Sequence, residues 1–165
     1  MKINQVIVDH IKNALRDMAL MDIKRASSGN SKIGAFILAS CFIDYMAGFA
    51  FGRKTTKHEY EAFVSHYLPP IYNPSKIYKD LRCGLVHNYS EGGSYWFVDN
   101  KPQLHGQIVN GRIIVNLKNF VDDLEKALNK LLDEIQSDQS KQLKAIARYN
   151  SIGLLCVGGL APGRT

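Results

Sequence analysis

Ile33-Gly34-Ala35-Phe36-Ile37-Leu38-Ala39-Ser40-Cys41-Phe42-Ile43-Asp44-Tyr45-Met46-Ala47-Gly48-Phe49-Ala50-Phe51 is the one long apolar run in this chain of 165 residues. It has the length of a membrane span and is flanked by Lys32 and by Arg53-Lys54. Asp44 argues against a span. A carboxylate at the centre of a lipid-buried helix costs about 2.5–3.5 kcal/mol on the insertion scale. Ser40 and Gly48 weaken the span further. The alternative is the central helix of a bundle, apolar on nearly every face because other helices surround it. That reading is preferred. It makes the fold mainly α, an up-and-down helical bundle with no membrane partner.

The segments on either side fit such a bundle. Ile3, Val6, Ile7, Ile11, Ala14, Leu15 and Met18 recur at three- and four-residue spacing, the stripe of an amphipathic helix. Ser27-Ser28-Gly29-Asn30 breaks it, and Ser31 is placed to cap the central helix. Gly52 to Thr56 is a basic turn. His58 to Tyr67 reads as a short helix ended by Pro69-Pro70. Asn73 then caps, and Pro74 opens, a fourth helix reaching about Val86.

Past Tyr89 the period changes. Glu91-Gly92-Gly93 is a turn. Tyr95 to Val98, Leu104 to Val109 and Arg112 to Asn116 read as short strands. Asn110-Gly111 is a type I′ hairpin signal. The expectation is a small antiparallel β-hairpin or meander at about 93–116, before the last long helix. That helix opens at Leu117, with Phe120, Val121, Leu124, Leu128, Leu131, Leu132 and Ile135 as its stripe, and continues through Leu143 and Ile146 to about Asn150. The chain is read as one domain over 1–152. A tail from Gly153 follows, frayed or docked through Leu154, Leu155 and Val157.

Composition narrows the function. The net charge is +6, and residues 1–90 carry +5 of it. A positive field of this size fits an anionic partner such as RNA or a nucleotide. Cys41, Cys83 and Cys156 are widely spaced, with no C-x-x-C, so neither a disulfide scaffold nor a zinc knuckle is expected and a reducing cytoplasm is the natural compartment. The start lacks the continuous apolar core of a signal peptide. His10, His58, His66 and His105 show no ligand spacing, so no metal or other cofactor is expected.

The definite chemical proposal lies in Leu81-Arg82-Cys83-Gly84-Leu85-Val86-His87-Asn88-Tyr89. An arginine grips phosphate in two-pronged fashion and stays charged at any ordinary pH. A histidine gives and takes protons near neutrality. Together they supply much of what phosphodiester cleavage needs without a metal. On an ideal α-helix, however, the two lie about 140° apart, since five steps of roughly 100° overshoot one turn. Asp44, a carboxylate in an apolar helix, needs a cation, and Arg82 is available.

A helical hairpin, then a helix bearing Arg82-x4-His87 after Ile77-Tyr78-Lys79-Asp80-Leu81, then a long helix, resembles the HEPN superfamily of helical nucleotide-binding domains. The resemblance spans about residues 3–150, with the β insertion as an addition. It implies a metal-independent endoribonuclease of toxin–antitoxin or other defence systems, working as a homodimer with two motifs in one cleft. Arg82 and His87 are then the catalytic residues: Arg82 stabilises the charged phosphorane and His87 is general acid or base for 2′-OH attack. Asp44, Cys83, Asn88 and Tyr89 support them. Cys83 stands where the family commonly has a polar residue. The alternative is therefore a non-catalytic module that binds RNA, a nucleotide, or a partner such as an antitoxin or a nucleotidyltransferase.

Plainer readings stay open beside these. Arg82 and Asp44 form a structural ion pair, or His87 merely caps a helix. Arg53, Lys54, Lys57 and Lys79 face RNA, or Arg53 to Lys57 is a solvated turn. Tyr67, Tyr72 and Tyr78 stack on bases, or pack in the core.

Overall fold

A computed structural model of the chain describes residues 2–90 and 93–152. Helix α1 (Lys2–Asn13) runs through a wider, π-helical segment (Ala14–Leu20) into α2 (Met21–Ser28). Then come α3 (Lys32–Phe51), α4 (Lys57–Tyr67) and α5 (Pro74–Ile77). A second π-helical segment (Tyr78–Leu85) continues α5 into the short α6 (Val86–Asn88). Strands β1 (Tyr95–Val98), β2 (Ile108–Val109) and β3 (Arg112–Asn116) precede α7 (Leu117–Ser137) and α8 (Gln139–Ile152). The bundle with a small sheet before the last long helices is the architecture expected from the sequence. Of the expected turn Glu91-Gly92-Gly93, the first two residues lie outside the described residues, as does the tail from Gly153.

The apolar run is the core helix. α3 packs against α2, α4, α7, α8 and the second π-helical segment. Its Phe42, Ile43, Met46 and Phe49 join Leu15, Phe63, Leu81, Phe120, Leu124 and Leu128 in one cluster. By length and composition α3 would pass as a span, yet just over half of its apolar window is buried inside the bundle. Removing that apolar surface from water, at about 25 cal/mol per Å², is the main force holding the layers together.

Two backbone devices shape the lower end of α3. Gly52 ends it in the left-handed region at φ 73°, and a Cβ there would fall 2.9 Å from the backbone of Lys144 on α8. Gly52→Ala is expected to destabilise the fold by about 2 kcal/mol or more, through left-handed strain and loss of this close approach. Urea denaturation measures it.

The turn Arg53 to Thr56 leads into a capping box. Thr56 Oγ1 and its backbone N–H both donate to Glu59, the latter at 3.0 Å, and Arg53 sits 2.6 Å from the same carboxylate. The Thr56 hydroxyl leads the groups that bring the Glu59 carboxyl down from 4.5 to about 2. A depressed carboxylate contributes stability above its unfolded pKa and loses it as pH falls through the folded one. That contribution is therefore complete above about pH 4.5 and gone by about pH 2. Glu59→Gln should cost about 1–2 kcal/mol at pH 7 and flatten the acid limb of a melting-temperature profile over this window.

The last helix differs from its expected form. It does not run on to Asn150 but breaks at Asp138, whose backbone is extended. Asp138 accepts from the Ser140 and Lys141 amides at 2.8 and 3.2 Å, capping α8 as a separate helix. The hydrophobic period continues across the break, so α8 folds back on α7. Glu134 ties the corner together, bound by Lys141 at 2.6 Å and by the Tyr67 hydroxyl.

The sheet has order β1-β3-β2. The Asn110-Gly111 turn has φ of 50° and 75°, as a type I′ hairpin requires, and joins β2 to β3 antiparallel. β1 departs from the meander: it pairs with β3 in parallel, Tyr95 opposite Ile113 and Val98 opposite Asn116. The edge strand β2 is also shorter than the expected Leu104 to Val109. Leu104 lies in a 3-10 turn (Pro102–Leu104), and Gly106 at φ 81° follows it. Two polar groups, one buried and one partly buried, fix this arrangement. Asp80, 1% exposed, accepts from the Ser94 and Tyr95 amides at 2.7 and 3.2 Å, pinning the start of β1 to the motif helix. His105 Nδ1 accepts from the Asn116 amide at 3.1 Å, and its other nitrogen faces Tyr72 Oη at 3.2 Å and Asp123 at 3.5 Å.

Candidate functional site

Asn73 accepts from the Lys76 amide at 3.1 Å and Pro74 fills the first turn, so α5 starts where expected. Four residues on, the winding loosens to i→i+5 bonding over Tyr78–Leu85. Arg82 lies in this segment and His87 just past it on α6, so part of the five-residue span is wound this way. The slower winding narrows the separation of about 140° of ideal α geometry, and the long Arg82 side chain spans the rest. Arg82 Nη1 lies 3.0 Å from His87 Nε2. The same winding sets Tyr78 over Cys83, where burial first and the thiol second push the Tyr78 phenol up.

The arginine is held from both sides. Its Nε donates to Asp44 Oδ2, the ion pair expected from the sequence. Asp44 is presented by the core helix, and its backbone carbonyl accepts from Thr55 Oγ1 at 2.6 Å. The two side chains are about a quarter exposed, 28% for Arg82 and 25% for Asp44. Burial pushes the Asp44 carboxyl up, and the Arg82 charge pulls it only part of the way back, so it stays above the ordinary aspartate range.

The guanidinium donates Nη1 to the imidazole, so Nε2 is the accepting nitrogen and the ring proton of the neutral form sits on Nδ1. That is the base form of the ring. The exposed His87 stands at the helix end, which closes with Tyr89 in the left-handed region at φ 51° and with the Tyr89 amide on Leu85 O at 3.1 Å. Asn88 and Tyr89 are exposed beside it and make no hydrogen bond to Arg82 or His87 among the described residues. A line of N–H donors, an accepting imidazole and open solvent in front can take a phosphate and one proton.

Other candidate residues separate from this cluster. Arg53 is engaged by Glu59, while Lys57 lies 3.8 Å from Glu61 and 5.8 Å from the Tyr78 ring centre. Lys54 and Lys79 are exposed. Tyr72 is buried and donates to Asp123 at 3.0 Å, Tyr67 binds Glu134, and Tyr78 packs edge-on to Tyr60. Each of those three rings has a partner within the bundle. His10 pairs with Tyr149, His58 with Glu59, and His66 with Glu134. Among the described residues no three His, Cys, Asp or Glu side chains converge as metal ligands.

Two contributors were not singled out from sequence. Cys41 lies one turn before Asp44 and feels both Asp44 and Arg82, with burial the larger influence pushing its thiol up. Thr55 fixes the Asp44 turn from outside the helix. The i,i+3 spacing of Cys41 and Asp44 was the available signal for the first. Nothing in the sequence marked the second. No family model matches the chain, and comparison with curated proteins and with solved structures finds none similar to it.

Proposed function

We propose that the protein is an endoribonuclease of HEPN type that needs no metal, acting in the cytoplasm as a homodimer. The observation that supports it is the 3.0 Å contact of Arg82 Nη1 with His87 Nε2, backed by Asp44 on Nε. An incoming phosphate takes over the guanidinium N–H groups from the imidazole. The freed Nε2 lone pair then accepts the 2′-OH proton, and the 2′ oxygen attacks phosphorus. Arg82 neutralises the equatorial oxygens of the phosphorane, as preorganised donors do. The 5′ oxygen leaves with a proton from the motif of a second copy, giving a 2′,3′-cyclic phosphate and a 5′-OH end. A role in toxin–antitoxin or other defence, with an antitoxin or nucleotidyltransferase as partner, belongs to the same proposal.

The second reading, a binding module, is favoured by Cys83, which is turned onto Tyr78 and adds no donor beside Arg82. The test is incubation of total RNA with the purified protein in EDTA. Cleavage leaving cyclic phosphate ends, abolished by a 2′-deoxy substitution at the cut site, is expected. Retained RNA binding with no cleavage would replace the enzyme by the module.

A further inference from the structure

A second arginine adjoins the face of α3 that carries Asp44. Asp44 and Gly48 are four residues apart, hence on one face of the helix and about 6 Å apart along its axis. Arg82 holds Asp44. Arg148, on α8, lies against Gly48: a Cβ at that glycine would fall 2.8 Å from Arg148 Nε and 3.3 Å from Thr55 Oγ1. The same Thr55 hydroxyl donates to the Asp44 carbonyl at 2.6 Å, so the two arginines adjoin one patch of α3. Tyr45 is in reach of it too: burial pushes its phenol up, and the Arg148 charge opposes the rise. The bare backbone at Gly48 is what lets the guanidinium come so close.

Unlike Arg82, Arg148 has no carboxylate to hold. Among the described residues it forms no ion pair, and its buried Nε has no hydrogen-bond partner. Of its three nitrogens Nε alone is shut from solvent in this way, which leaves the Nη groups open to a ligand. A half-buried guanidinium without a counter-charge is costly, and charge-assisted bonds to a phosphate relieve that cost. We propose that Arg148 binds a second phosphate of the RNA strand, next to the one taken by Arg82 and His87. The inference rests on RNA as the ligand of that site. The step from Asp44 to Gly48 is of the same order as the step between successive phosphates of an extended strand. The ligand class is therefore single-stranded RNA with at least two linked phosphates.

The test measures binding of a fluorescein-labelled single-stranded 2′-O-methyl RNA oligonucleotide by anisotropy over a range of salt concentrations. Attack by a 2′-OH cannot cut this probe, so binding is read apart from cleavage. Arg148→Gln is expected to bind about tenfold more weakly, as loss of a charge-assisted pair does. It should also lower the slope of log affinity against log salt by about 0.7, the share of one phosphate on a single strand. A phosphate already neutralised by Arg82 would leave the slope unchanged. Arg148→Lys keeps the charge and the stem but not the fork; it should keep the slope and bind several-fold more weakly than wild type. Thermal melts of both variants guard against a folding defect, and the exposed Lys118→Gln serves as the control for overall charge. An unchanged slope in Arg148→Gln, with wild type bound, would overturn the proposal and leave the Arg82–His87 site standing. An equal loss in Lys118→Gln would also overturn it, assigning the effect to the field of the whole protein. Wild type that binds no oligonucleotide would overturn the RNA reading and this inference together.

Discussion

His87→Ala should reduce RNA cleavage by about 10²–10⁴-fold, the usual share of a general acid or base, and leave the thermal melt nearly unchanged. The two halves of this expectation come from one geometry. His87 is exposed, and the hydrogen bond it makes from the ring is to Arg82 Nη1. Removing an exposed ring exposes no core. In the proposed mechanism it takes away the acceptor for the 2′-OH proton, while Arg82 stays anchored on Asp44. Single-turnover cleavage and a calorimetric melt on the same preparations separate the two effects. A variant that loses activity only in proportion to lost folded protein would make His87 a helix cap.

Asp80→Ala should produce the largest stability loss of any single polar change near the site, about 2–4 kcal/mol. Asp80 is 1% exposed and receives two amides, those of Ser94 and Tyr95. Alanine leaves both without their acceptor, and each buried unsatisfied donor costs about 1–3 kcal/mol. The same side chain couples β1 to the π-helical segment that carries Arg82. Hydrogen exchange should therefore show lost protection in both β1 and Tyr78–Leu85, not in the strand alone. Asp80→Asn, which keeps one acceptor oxygen, should recover part of the loss.

The apolar run and Asp44 together identified the core helix, and the need of a buried carboxylate for a cation identified Arg82 as its partner. Asn73-Pro74 and Asn110-Gly111 marked a helix start and a hairpin because their backbone demands are local. The π winding was not legible. Ile77, Leu81 and Leu85 are buried at four-residue spacing, which an α-helix and a π-helix accommodate almost equally. The parallel seat of β1 depends on Asp80, which in sequence is one more charged residue on a helix. The break at Asp138 was hidden by leucines and isoleucines that keep the same period on both sides. For β1 the deciding contact is long-range, and a sequence window does not contain it; the Asp138 cap is local but was masked by the continuous apolar period.

The central claim is that Arg82 and His87 act as one unit on one phosphate. Residues that act as a unit are non-additive: the second loss adds little once the first has been suffered. Arg82→Lys, His87→Ala and the double variant, compared in single-turnover RNA cleavage with EDTA present, test this directly. Lysine keeps a charge for Asp44 but lacks the fork that spans carboxylate, imidazole and phosphate. Each single variant should be slower than wild type by about 10²-fold or more, and the double variant no slower than the slower single. Losses that multiply in the double variant, or single variants that cleave as wild type does, would contradict the account.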